Sequence, residues 1–191
     1  FTYRNDMNRV DIHIDNNGEL NINIEGTWLN TILMEVPVLA IVNEIYFTNG
    51  KSKDQIDEDG QIGAERLLAK IGKLKNAAIL NKAPIKIMEF GTRRRRSHDW
   101  QDTVIKNLVE QAPEFIIGTS NVYFAKKYNL ACKGTTAHEW TMAMQSLYRL
   151  VDSQKMALQL WADEYRGELG IALGDTLGLN AFLNDFDKYF A

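Results

Sequence analysis

Apolar positions change period along the chain, and the changes mark out its elements. Val10, Ile12 and Ile14 alternate with polar residues, Asn16-Asn17-Gly18 supplies a turn, and Leu20, Ile22 and Ile24 alternate again. Period-two alternation on both sides of an Asn-Gly turn predicts a β-hairpin. An apolar segment then runs from Ile32 to Phe47, divided at Pro37. Proline disrupts a central strand but is tolerated in the first turn of a helix, so Val38 to Tyr46 is expected to be a short helix. Thr48 to Gly60, rich in Asn, Gly, Asp and Lys, reads as a surface loop or an exposed helix start. Leu67, Leu68, Ile71 and Leu74 give helical spacing within Ile62 to Leu74.

At Ile85 the pattern becomes repetitive. Ile85, Ile87, Met88 and Phe90 form a β-like run closed by Gly91. The helix after it has Val104, Ile105, Leu108 and Val109 as its apolar positions and Ser97 or Asp99 as its cap. Phe115 to Ile117 reads as a second strand, Gly118 to Asn121 as a loop and Val122 to Tyr128 as a short helix. Leu130 to Lys133 is a weaker strand and Thr135 to His138 a loop, and Trp140 to Leu150 and Ser153 to Tyr165 are helical. Leu169 to Leu173 is a fourth strand, followed by Gly174-Asp175-Thr176 and a last helix, Asn180 to Tyr189. Strand–loop–helix units in series predict an α/β fold, either half of an eight-stranded barrel or one sheet of a doubly wound domain. The expected division is residues 1–80 as an α+β module and residues 81–191 as the β/α part. Half a barrel leaves a parallel edge unpaired unless further sequence completes it.

Composition narrows the function classes. The 191 residues are 45% apolar, enough for a sizeable core, and the formal charge of -3 gives no global pull toward nucleic acid or membranes. Arg93 to Arg96 are a local exception. One cysteine, Cys132, excludes an internal disulfide and a cysteine metal cluster and suits a reducing cytoplasm. No apolar run reads as approaching the roughly 20 residues of a membrane span, and no signal peptide is visible. The chain starts without Met and stops in a helix-like segment, so it is expected to be an internal piece of a longer polypeptide, lacking both ends.

The candidate chemistry lies just past the predicted strand ends, in MEFGTRRRRSHDW, FIIGTSN and CKGTTAHEW. Strand C-terminal ends are where α/β proteins build sites. Consecutive arginines point in different directions, so one or two can face a pocket, and their planar forks suit phosphate or carboxylate. A solvated basic turn is the plainer reading. Gly118-Thr119-Ser120-Asn121 offers close backbone approach and hydroxyl and amide groups to a ligand. His138, beside Glu139 at a strand-to-helix junction, suits a base, a nucleophile or a ligand, or a histidine simply buried beneath Trp140. No metal site is expected, because His13 and His98 lie in other elements and no HxxxH or Cys-His spacing exists. Asp175 either takes a catalytic position after Gly174 or caps the last helix.

The blocks EFGTRRR(x)S, GTSN and GTTAHEW, in this order and spacing, closely resemble the nicotinate phosphoribosyltransferase family. Phe1 to Asn5, Glu25 to Leu29 and Leu169 to Phe190 resemble its flanking parts. The resemblance implies a truncated, irregular β/α barrel of the type II phosphoribosyltransferase kind, preceded by part of an α+β N-terminal domain. It implies the joining of nicotinate to phosphoribosyl pyrophosphate, coupled to hydrolysis of Mg²⁺-ATP, in a cytoplasmic homodimer. His138 would be the histidine that is phosphorylated. Phe90 would stack on the pyridine ring, Arg93 would meet the nicotinate carboxylate or a phosphate, and Arg95 would be a second anion contact. Gly91, Thr92, Gly118 and Thr119 would line the substrate, with Glu139 and Asp175 in support. Ser120 matches the position where the related nicotinamide enzyme has an aspartate, and a neutral hydroxyl there suits the acid. Two other readings stay open: another phosphate-binding barrel enzyme with His138 as general base, and a silent fragment that binds an anion or dimerises. No nucleic acid or membrane partner is expected.

Overall fold

The computed structural model describes residues 9–82 and 85–190; the resemblance of Phe1 to Asn5 lies outside them. The expected hairpin forms from β1 (Arg9–Ile14) and β2 (Leu20–Glu25), with Ile12 opposite Ile22. Asp15 organises its turn by accepting from the Asn17 and Glu19 N–H groups, and Gly18 takes the left-handed φ of 82° that disfavours other residues.

Helix α1 (Trp28–Thr31), a 3-10 turn at Ile32–Met34 and α2 (Glu35–Thr48) follow without a break. Helix α2 begins ahead of the expected Val38, with Pro37 in its first turn, where proline is tolerated. Together, the 21 residues Trp28–Thr48 are long and apolar enough to cross a membrane by length and composition, which corrects the expectation that no run approaches that size. The carboxylates of Glu35 and Glu44 within this stretch meet Arg93 and Arg95, and burying such groups in lipid is costly.

Of the two readings of Thr48 to Gly60, surface loop or exposed helix start, the second holds from Lys53, where α3 (Lys53–Asn81) begins. Ser52 Oγ accepts from the Gln55 N–H at 3.3 Å while the Gln55 side chain accepts from the Ser52 N–H at 2.9 Å. This reciprocal capping box fixes the helix start well before its apolar stripe begins.

The sheet is parallel, in the order β3 (Ile87–Glu89), β4 (Ile116–Thr119), β5 (Ala131–Cys132). Between and after its strands come α4 (His98–Gln111), capped by Ser97 and not by Asp99, α5 (Val122–Tyr128), α6 (His138–Leu147), α7 (Leu150–Tyr165) and α8 (Leu179–Asp185). Strand β4 extends through Gly118 and Thr119, which sequence alone puts in a loop. Extended backbone at Tyr148 and Arg149 ends α6 earlier than Leu150 and lets α7 begin before Ser153. The last helix is also shorter than expected. Leu169 to Leu173 does not join the sheet. Thr136 meets it instead, donating its N–H to Ile171 O and accepting from the Leu173 N–H on its hydroxyl, both at 2.9 Å. A side-chain oxygen thus stands where a second ladder carbonyl would be, and three sheet strands are observed where four are expected.

Ile71 of α3 shares one core with Leu108, Ala112, Phe115 and Ile116, and Leu67 and Leu74 pack against it. The approach of α3 to α4 is close: a Cβ at Gly63 would lie 2.6 Å from Trp100 Cη2. Helix α3 is therefore packed directly on α4 and β4, in the layer that carries the candidate site.

Candidate active site at the C-terminal edge of the sheet

Because β3, β4 and β5 run parallel, Glu89, Thr119 and Cys132 finish on one edge and the loops after them leave together. The Ser120 N–H donates to Glu89 O and the Lys133 N–H to Thr119 O, carrying the pairing past the strands. Phe90 stands at this edge 45% exposed, an apolar ring open to stacking.

The 3-10 turn Thr92–Arg94 then fans out the arginines. Arg93 Nη1 donates to Glu35 Oε1 on α2. The Arg95 side chain is only 15% exposed and lies between Glu44 Oε2 at 3.7 Å and Gln101 Oε1 at 3.4 Å, its buried Nε unpartnered among the described residues. Arg96 Nη2 donates to Asp59 Oδ2 at 2.9 Å and Ile56 O at 3.2 Å on α3. Arg94 is exposed. Three of the four arginines thus tie this loop to α2 and α3.

In the second loop the side chains divide by role. Gly118 is buried, and a Cβ there would lie 2.6 Å from Ala131 O, so glycine permits the close approach of β5. Thr119 is fully buried, donating to Glu89 Oε2 at 2.7 Å and accepting from the Asn121 N–H at 3.1 Å. Asn121 caps α5 by accepting from the Phe124 N–H. Ser120 has an exposed side chain.

His138 opens α6, about half exposed, with Nε2 at 2.9 Å from Asp175 Oδ1. A carboxylate only accepts, so Nε2 carries a proton, and in the neutral ring the lone pair is then on Nδ1. Of the helices that follow the three strands, α4 and α5 are capped by Ser97 and Asn121, whereas α6 has Ala137 at its cap and no side-chain acceptor. The Trp140 N–H donates to Ala137 O at 3.1 Å, and among the described residues no side chain takes the N–H groups of His138 and Glu139 ahead of it, which suit an anion. Glu139 lies in that first turn.

Glu89 and Gln101 were not singled out by sequence reasoning. The Glu89 carboxylate accepts from the Gly91 N–H, the Thr119 hydroxyl and Gln101 Nε2. A lone buried Gln on an amphipathic helix carries no sequence signal for such a contact. Among the described residues no three metal-ligating side chains converge. A second cavity of about 400 Å³ lies among Trp161, Tyr165, Ile171, Phe186 and Tyr189, and Thr136 of the loop before α6 lines it too.

Residues 85–191 match the sequence profile of the nicotinate phosphoribosyltransferase (NAPRTase) family. A nicotinate phosphoribosyltransferase of Ralstonia nicotianae is 49% identical over 176 residues, which are 92% of this chain and 43% of that protein. The crystal structure of nicotinate phosphoribosyltransferase from Vibrio cholerae superposes with a TM-score of 0.79 at 36% identity, covering 95% of this chain and 42% of that one. That from Porphyromonas gingivalis gives 0.72 at 30% identity, covering 95% and 44%. The chain spans less than half the length of these relatives.

Proposed function

The chain belongs to the nicotinate phosphoribosyltransferase family, and on that premise we propose that it carries the base-binding and phosphohistidine parts of an ATP-coupled phosphoribosyltransferase of NAD salvage. The reaction joins the ring nitrogen of nicotinate to the ribosyl C1 of phosphoribosyl pyrophosphate, releasing pyrophosphate and forming nicotinate mononucleotide. The observation that carries this reading is the His138–Asp175 pair at the uncapped start of α6. With Nε2 held as N–H, the Nδ1 lone pair attacks the γ-phosphorus of ATP, the N–P bond forms, the bond to the bridging oxygen breaks and ADP leaves. Asp175 then faces an imidazolium, and the free N–H groups of α6 face the phosphoryl oxygens. Water later hydrolyses the phosphohistidine.

At the adjoining strand ends, Phe90 supplies a face for the pyridine ring and Ser120 a neutral hydroxyl that does not repel a carboxylate. Arg93 is the cation for that carboxylate or for a substrate phosphate, and Glu35 orients its guanidinium. Arg95, held inward by Glu44 and Gln101, supports the loop and adds positive potential. Gly91, Thr92, Gly118 and Thr119 shape the pocket, and Glu139 lies next to the histidine. Asp175 alone does not cage a metal, a donor set that fits Mg²⁺ arriving on the polyphosphates, where it supplies charge neutralisation. The reading extends to a cytoplasmic homodimer, with residues 81–191 contributing the first part of the barrel; the exposed thiol of Cys132 suits a reducing compartment.

The test is turnover by the whole protein of nicotinate with phosphoribosyl pyrophosphate, with and without ATP, and with nicotinamide in place of the acid. Product from the acid, stimulated by ATP, and acid-labile phosphate that disappears in His138→Ala are expected. Turnover of another phosphorylated substrate, dependent on His138 but without a phosphoenzyme, would instead make it a general base.

A further inference from the structure

Gln101 is 3% exposed, projects from the first turns of α4, and bonds Glu89 and Thr92, the two residues that reach from the first candidate base-binding loop to Thr119 and Asn121 of the second. Its Nε2 donates to Thr92 Oγ1 at 2.9 Å and to the two Glu89 carboxylate oxygens at 3.1 Å each, while its Oε1 accepts from Arg95 Nη1 at 3.4 Å. The amide cannot be turned round, because its oxygen would then face a carboxylate. Thr92 Oγ1 also accepts from Asn121 Nδ2 at 3.0 Å. Two donors occupy both lone pairs of that hydroxyl, so its own proton has to point to some other acceptor. Glu89 closes the clasp by accepting from the Gly91 N–H in one loop and the Thr119 hydroxyl in the other.

We infer that Gln101 is a positioning residue that fixes Thr92 as a hydrogen-bond donor toward the bound base and thereby selects a carboxylate-bearing pyridine over its amide. This rests on the nicotinate reading above and adds the polarity of the pocket to it. A carboxylate offers only acceptors, whereas an amide presents donors at one of its two positions. The selecting group is then a neutral hydroxyl whose direction is imposed from the buried helix α4, next to the arginines that attract any anion.

The experiment compares kcat/KM for nicotinate and nicotinamide in the whole protein and in four variants. In Gln101→Glu the new carboxylate accepts the Thr92 proton, turns a lone pair toward the base and repels Glu89. The nicotinate-to-nicotinamide ratio is expected to fall by about tenfold or more, with KM for phosphoribosyl pyrophosphate unchanged. The double variant Glu89→Gln/Gln101→Glu removes the repulsion and restores thermal stability, but leaves Thr92 reversed, so selectivity stays low. A merely structural Gln101 would recover both together. Thr92→Val is expected to lose the same selectivity and Thr92→Ser to keep it, and this pair decides the matter if the Gln101 variants do not fold. Wild-type selectivity in the double variant, or in Thr92→Val, overturns the inference. Failure of the unmodified protein to use either base refutes the nicotinate reading itself, a result distinct from these.

Discussion

Replacing Gly118 by alanine isolates a packing constraint in the middle of the candidate site. The added Cβ would lie 2.6 Å from the Ala131 carbonyl oxygen and 2.5 Å from Lys133 Cγ. The lysine stem can swing away, but the carbonyl belongs to β5, paired to β4 with Ala131 opposite Gly118. Relief requires the two strands to move apart, and overpacking of this kind costs about 1–3 kcal/mol. Alanine returns about 0.5–1 kcal/mol by narrowing the unfolded ensemble, leaving a net loss of up to about 2.5 kcal/mol, centred a little above 1. Gly60 and Gly72 in α3 provide the contrast, since a Cβ at either meets nothing within 4 Å. There alanine improves helix propensity and is expected to stabilise by up to about 1 kcal/mol. Urea unfolding followed by tryptophan fluorescence and far-UV circular dichroism reads all three variants. Gly118→Ala as stable as the wild type, with the helix variants stabilised as expected, would refute the claim that β5 needs a glycine opposite it.

Two further outcomes follow from capping and charge. Ser52→Ala removes one arm of the capping box and is expected to lower stability by about 1 kcal/mol, with early loss of helical circular dichroism on heating. Asp102 accepts from Lys127 Nζ at 2.7 Å and Tyr128 Oη at 2.8 Å, and the Lys127 hydrogen bond leads in holding its carboxyl below the ordinary 3.8. The folded value is the lower one, so this stability is present above pH 3.8 and is lost as pH falls through the folded value. Asp102→Asn should flatten the acid limb of the stability curve, measured as urea midpoints between about pH 6 and 2; an unchanged limb would assign the acid sensitivity elsewhere.

The elements most legible in the sequence were those specified by local signals. The β1–β2 hairpin follows from alternation around Asn17-Gly18, and α5 runs over Val122–Tyr128 as expected because Asn121 caps it and Asn129 ends it in the left-handed region. Helix α3 was readable too, from Ser52 and Gln55 three residues apart, but an apolar stripe that begins later drew the boundary toward Ile62. Leu169 to Leu173 failed for a different reason: its composition suits a strand, but strand identity requires a partner, and Thr136 supplies only one backbone bond and one hydroxyl. In the candidate site, the positions of Phe90 and Ser120 at the sheet edge were legible because each stands at the end of an apolar run. The Glu89–Gln101–Thr92 contacts were not, since they depend on which face of α4 meets β3, a property of packing.

The arginine run has a consequence for insertions and deletions. The 3-10 turn sends Arg93 toward Glu35, and the extended backbone that follows it at Arg95 sends Arg95 toward Glu44 and Arg96 toward Asp59. One residue added within 92–96 would leave composition and net charge almost untouched while trading every one of these partners. The run works as a key cut to three notches, legible to the fold only in one frame, and a count of its positive charges says little about what it does.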